Sequence, residues 1–209
     1  MPTQSVFHWL DGRGWLVFSG GANDEIRAQA LGRAAADGGV ACIALSGDPD
    51  LLLDDIADLG APSGYVVDVF GEDDESLHEK LAQAGMVIVG GGVSPADVRG
   101  ALHGAALEGI QAAYANGGLI LLEGFSASAF GAWLIDGSDI KPGLSWLAGA
   151  LLTGVDKAAD AAKPIFKAQP GAIAVGIMPG SALALGPDGE IDIWGRREVT
   201  VALGPSVGT

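Results

Sequence analysis

Cysteine is almost absent from this sequence: Cys42 is the single one. No disulfide can close within the chain, and no cysteine zinc site can be built. Basic residues are scarce, with 11 Lys and Arg against 26 Asp and Glu, for a formal charge of −15. That balance argues against a nucleic-acid backbone or an anionic membrane as partner, since both select basic patches. It names no partner of its own, because acidity often serves only solubility. Histidine occurs at three positions, His8, His78 and His103. Long hydrophobic runs are missing too: stretches such as Leu119 to Leu122 fall far short of the ~20 residues that span a bilayer. Met1 to Asp11 lack the basic start and apolar stretch of a signal peptide, so a soluble cytoplasmic protein is expected.

Metal and nucleotide motifs are also lacking. Asp48, Asp50, Asp54 and Asp55 have neither the central glycine nor the closing Glu of a calcium loop. No His, Cys or Glu spacing suits zinc. Gly20-Gly21 is not followed by the Lys-Ser/Thr of a phosphate-binding loop, and Gly-x-Gly-x-x-Gly does not occur. No metal and no cofactor are therefore expected.

What is present is a long alternation. Apolar residues make up 49% of the chain and glycine numbers 34, enough for a buried core and many tight turns. Strand-like runs are expected at Trp15–Phe18, Val40–Leu45, Tyr65–Phe70, Met86–Val89 and Leu119–Leu122. Helical patterns fall between them at 25–36, 49–59, 74–84 and, as two pieces, 95–115. Continuous apolar strands joined by helices imply a parallel sheet covered on both faces. After Ala150 a helix is expected at 156–163, ended by Pro164. Short strands follow at 172–177, 182–185, 191–194 and 199–202, with turn signals between them. The expectation is one α/β domain over 1–209. It is a flavodoxin-like three-layer sandwich with a mostly parallel sheet and a C-terminal antiparallel extension.

Ligands of such sheets bind beyond the carboxyl ends of the strands. Glycine-containing loops leave those ends at Ser19–Ala22, Gly90–Ser94 and Glu123–Ser128. The third has the shape of a nucleophile elbow: a strand, then Gly124-Phe125-Ser126-Ala127, then a helix. In such a turn the Ser is lifted off the sheet on strained backbone, and the next N–H, here Ala127, faces a developing oxyanion. The motif wants glycine two places either side of the Ser. Gly124 meets this and Ser128 does not. A Ser126 that merely caps the following helix explains the same residues. Glu123 could serve as a base, or could bond nearby loop amides. Cys42 lies inside a strand pattern and reads as core.

Val87-Ile88-Val89-Gly90-Gly91-Gly92, then Gly117-Gly118, then Gly124-Phe125-Ser126-Ala127-Ser128-Ala129 resemble the cyanophycinase and dipeptidase E family of serine peptidases. Pro142 to Leu147, Val175 to Leu183 and Gly189 to Val201 are similar to later segments of that family, so the likeness runs from Gly14 almost to the end. The resemblance implies a class I glutamine amidotransferase-like fold. It puts Ser126 on the nucleophile, and Ala127 with Gly91 or Gly92 on the oxyanion-hole amides. It puts Val155 where the family has its general-base His, and no His follows Ser126 at all. The family's acid would fall on Asp136 or Asp139. Its polar pair after the glycines is Val93-Ser94 here.

A Ser hydroxyl without a base is a poor nucleophile. The resemblance therefore implies a catalytically degenerate protein, with Glu123, Ser94, Ser128 and Val155 around a pocket for a peptide or acidic small molecule. The alternative is an active serine exopeptidase or hydrolase with a rearranged base. A structural homodimer without a ligand is a third reading, and neither nucleic acid nor membrane is expected as a partner.

Overall fold

A computed structural model describes residues 7–35 and 37–207. Five short strands form the parallel part of a seven-stranded sheet: β1 (Leu16–Ser19), β2 (Val40–Ala44), β3 (Gly64–Val66), β4 (Met86–Gly90) and β5 (Leu119–Glu123). The helices between them are α1 (Asp24–Leu31), α2 (Pro49–Asp58), α3 (Asp74–Ala82), α4 (Pro95–Leu102) and α5 (Ala105–Ala115). The short helix α6 (Phe125–Ala129) follows β5. Next come β6 (Gly131–Asp136), β7 (Asp139–Pro142), β8 (Leu147–Thr153), α7 (Ala158–Ala161) and α8 (Lys163–Ala168). The chain ends with β9 (Ile173–Ile177), β10 (Ser181–Leu185), β11 (Ile191–Gly195) and β12 (Val199–Leu203).

The main sheet has the order β11-β10-β1-β5-β4-β2-β3. Strands β1 to β5 are mutually parallel, and β10 and β11 add antiparallel to the β1 side. This is the α/β sandwich with an antiparallel extension that the sequence implies. One face packs Val17, Cys42, Ile88 and Leu121 against Ile26 and Ala30 of α1 and Leu52 and Ile56 of α2. The other packs Phe18, Ile43, Val89 and Leu122 against α3, α4, α5 and α6. Burial on both faces is why these strands read as unbroken apolar runs.

A second, five-stranded sheet, β12-β9-β8-β6-β7, was not foreseen. It takes β9 and β12 away from the main sheet, where all the late strands were expected. Its inner face joins Leu151 and Val175 to the main core. Its outer face lies under Ala162 and Ile165.

Helices α2 and α3 end one and two residues before the expected 59 and 84, and two larger differences stand out. The first helix stops at Leu31 with Gly32 as its cap, and its expected end at Ala36 lies outside the described residues. Pro164 does not end the helix at 156–163. It stands in the first turn of α8, separated from α7 by Ala162. A proline is tolerated there because a first-turn N–H has no intrahelical acceptor. Among the described residues no helix is long and apolar enough to cross a membrane.

Candidate functional site

The carboxyl ends of the parallel strands lie along one edge of the main sheet, and there β5 runs directly into α6. Gly124 makes the turn at φ 61° and ψ −122°. A Cβ on Gly124 would meet nothing within 4 Å. The glycine is therefore required by its conformation, not by space. Ser126 is the second residue of α6 and is not among the residues with positive φ. The strained backbone expected at Ser126 is thus absent. The glycine absorbs the sharp turn and leaves the serine free to enter the helix.

The capping alternative for Ser126 also fails. The N-cap of α6 is Gly124, with no side-chain cap bond. The Ser126 hydroxyl instead donates to the Gly91 carbonyl at 3.3 Å, and Ser126 is 0% exposed. Gly91 and Gly92 hold φ of 77° and 98°. A Cβ on Gly91 would sit 2.6 Å from Ser46 Oγ, so this loop needs glycine for space as well. The Gly92 N–H donates to Ser46 Oγ at 3.0 Å. Of the two glycines suggested for an oxyanion hole, one has its amide spent on Ser46 and the other turns its carbonyl to the serine. An oxyanion needs donors aimed at it. Ala127 sits in the first turn of α6, where an N–H has no intrahelical acceptor.

No imidazole serves this serine. All three histidines are exposed. His8 lies in the N-terminal arm that runs beside the start of β8, bonded through its carbonyl to Ala148 N. His78 lies on α3, and His103 ends α4. Among the described residues the only hydrogen-bond partner of Ser126 Oγ is Gly91.

Neither role foreseen for Glu123 holds. Its two oxygens accept from Arg27 Nε at 2.8 Å and Arg27 Nη2 at 2.9 Å. Arg27 Nη1 reaches Asp55 at 2.8 Å. Arg27 is 5% exposed and Glu123 is 3% exposed. Burial alone would lower the guanidinium pKa, but the hydrogen bonds and charges of Glu123 and Asp55 outweigh it and hold Arg27 above its usual range. Strand alternation places this pair on the α1–α2 face, beside Gly90, where a Cβ would lie 3.4 Å from Glu123 Oε2. The carboxylate is committed to a fork of two parallel bonds from Arg27, and among the described residues no loop amide donates to it.

Ser94 caps α4: its hydroxyl accepts from Asp97 N at 3.2 Å and donates to Asp97 Oδ2 at 2.8 Å. It does not line the pocket, and neither does Glu123. Ser128 and Val155 do. With Pro95, Phe125, Ile135, Leu151, Leu152, Thr153 and Ala161 they surround a cavity of about 190 Å³ against α6. The Ser128 and Thr153 hydroxyls bond to each other at 3.1 Å. The other lining side chains are apolar. Asp136 pairs with Lys141 at 2.5 Å on the β6–β7 hairpin, and Asp139 is exposed on the same hairpin.

Sequence reasoning missed Arg27, Ser46, Asp55 and Thr153. Arg27 and Glu123 lie 96 positions apart, so no local pattern joins them.

No family model matches the sequence, and no curated protein matches it. Solved structures do match. The chain is similar to a peptidase from an acI-B1 actinobacterium, with 14% identity and a TM-score of 0.73 over 94% of this chain and 95% of that one. It is also similar to a putative peptidase E protein from Listeria monocytogenes EGD-e, with 14% identity and a TM-score of 0.62 over 91% and 98%. At such identity the likeness shows a shared fold.

Proposed function

We propose that this protein is a catalytically silent relative of cyanophycinase and dipeptidase E that keeps the serine turn as architecture and the adjoining pocket for binding. One observation carries the reading: Ser126 Oγ is buried, with a carbonyl as its partner and no base within hydrogen-bond reach. Nucleophilic attack needs a group that takes the hydroxyl proton. A carbonyl only accepts the hydrogen bond. Val155 supports the reading further, because it places an isopropyl group beside the Ser128–Thr153 pair. No Lys or Arg lines the cavity, so its lining favours a neutral apolar group, such as a peptide side chain, over an acidic molecule.

The test is enzymatic. The purified protein is expected to leave aspartyl dipeptides and cyanophycin intact and to resist labelling by a fluorophosphonate. Val155→His is expected to stay orders of magnitude below a working serine peptidase, since an imidazole also needs an orienting acid and a free oxyanion site. Turnover by the unmodified protein that Ser126→Ala abolishes would refute the reading and establish an exopeptidase with a rearranged base.

A further inference from the structure

Of the seven exposed large apolar side chains among the described residues, four lie along one edge of the main sheet. Phe125 (45% exposed) follows β5, Val93 (75%) follows β4, Leu51 (63%) opens α2 after β2, and Phe70 (73%) follows β3. The sheet order is β5-β4-β2-β3, so the segments that leave these strands carry them in the sequence Phe125, Val93, Leu51, Phe70 across the carboxyl edge. With ~4.8 Å between neighbouring strands, the row extends over about 15 Å. At the Phe125 end it meets the apolar cavity of about 190 Å³. Among the described residues the other exposed large hydrophobics, Ile191, Val201 and Leu203, lie on β11 and β12. Exposed apolar side chains gathered along one edge, at the mouth of an apolar cavity, fit a docking surface.

Charge at the other end of the row selects the occupant. Between Arg33 and Lys80 the sequence contains no Lys or Arg. Asp48 and Asp50 stand at the start of α2 beside Leu51, and Asp68, Asp73 and Asp74 surround Phe70 and the start of α3. All five are exposed. The edge therefore passes from an apolar pocket at Phe125 to an acidic field around Leu51 and Phe70. A second copy of a chain with formal charge −15 would bring acid to acid, and an anionic lipid surface would be repelled in the same way.

The geometry points to a basic protein segment as the partner. One of its apolar side chains enters the cavity beside Phe125, and its Lys or Arg residues lie among the acids around Leu51 and Phe70. This rests on the non-catalytic reading of the Ser126 turn, which leaves that cavity free for binding. An extended segment needs only about five residues to cover the row at ~3.3 Å per residue. The apolar contacts supply affinity, and the acids supply choice of partner and rate of encounter.

The experiment uses the whole protein, labelled with ¹⁵N, and three acetylated, amidated heptapeptides. Leu-Lys-Lys-Leu-Lys-Lys-Leu is the probe. One control replaces every Lys by Glu, and the other replaces every Leu by Ser. The probe is expected to shift amide signals in the loops after β2, β3, β4 and β5. Its affinity should fall about tenfold in the Leu51→Ser/Phe70→Ser protein, which keeps every charge. It should also weaken between about 20 mM and about 500 mM salt. The Glu peptide should leave the spectrum unchanged, and the Ser peptide should bind about tenfold more weakly.

Equal binding of the Leu and Ser peptides would overturn the proposal, as would shifts spread over the whole surface. Concentration-dependent dimerisation that buries Phe70, or capture on neutral vesicles, would also overturn it by giving the row another occupant. Fluorophosphonate labelling of Ser126 is read separately. Labelling with normal peptide binding removes the non-catalytic reading and leaves the docking edge standing. No labelling with no peptide binding removes the docking edge alone.

Discussion

Replacing Arg27 by Met tests what the buried ion pair does. The guanidinium makes two bonds to Glu123, at 2.8 and 2.9 Å, and one to Asp55 at 2.8 Å. Two unit charges about 4 Å apart attract by ~4 kcal/mol at an effective dielectric constant near 20. Taking both ions out of water offsets much of that gain, so the pair as a whole adds little to stability. Removing one partner is different. Arg27→Met strands Glu123, 3% exposed, and a stranded buried charge costs about 3–5 kcal/mol. Asp55 is 57% exposed, so Asp55→Asn should cost at most about 1 kcal/mol. The double variant Arg27→Met/Glu123→Leu removes both charges and should be more stable than Arg27→Met alone.

Urea unfolding at neutral pH, with midpoint and slope measured for each variant, gives these differences. Hydrogen exchange at Gly124 to Ser128 supplies a local readout, since Glu123 is the last residue of β5 before the turn. An Arg27→Met protein within about 1 kcal/mol of the parent would refute this role of the pair, as would a double variant less stable than the single one.

Two other perturbations follow from the core. Cys42 is fully buried, and burial pushes its thiol pKa up to about 11. The folded state thus disfavours the thiolate. Stability should hold below the unfolded-state pKa near 9 and fall as pH rises from there towards 11, by up to about 2–3 kcal/mol. Urea titrations across that range should show a smaller alkaline loss in Cys42→Ala, and an unchanged slope would contradict the assignment. Gly14→Ala would drive a Cβ onto the Gly118 carbonyl oxygen where β1 and β5 begin. It should destabilise by about 1–3 kcal/mol through backbone displacement, and a midpoint equal to the parent's would show that the two segments can part freely.

Legibility along the chain followed burial. Strands β1, β2, β4 and β5 are covered on both faces, so Leu16–Ser19, Val40–Ala44, Met86–Gly90 and Leu119–Glu123 stand out as apolar runs punctuated by glycine. Helix α2 could be read because Asp48 caps it, Pro49 opens it and Leu52 and Ile56 face inward. Strands β6 and β7 could not, although β8 (Leu147–Thr153) is itself a short apolar run. The pairing of β6 with β8 shifts register between Gly131 and Trp133, and β7 mixes Asp139, Lys141 and Pro142 with a single Ile140. Neither a period of two nor a plain apolar run survives that mixture.

At the candidate site, local sequence determined that a glycine turn would lift Ser126 out of β5 and that no histidine lies downstream of it. Both follow from chain order and from the backbone freedom of Gly124. Only the tertiary structure decided what surrounds the serine. The Gly91 carbonyl comes from 35 positions away, the Arg27 fork on Glu123 from 96, and the hydroxyl partner of Ser128 from 25. A strand–turn–helix signal is written within a few neighbouring residues. A hydrogen-bond partner is chosen by which loops the sheet order brings to the same edge, and that order is an outcome of packing the whole chain.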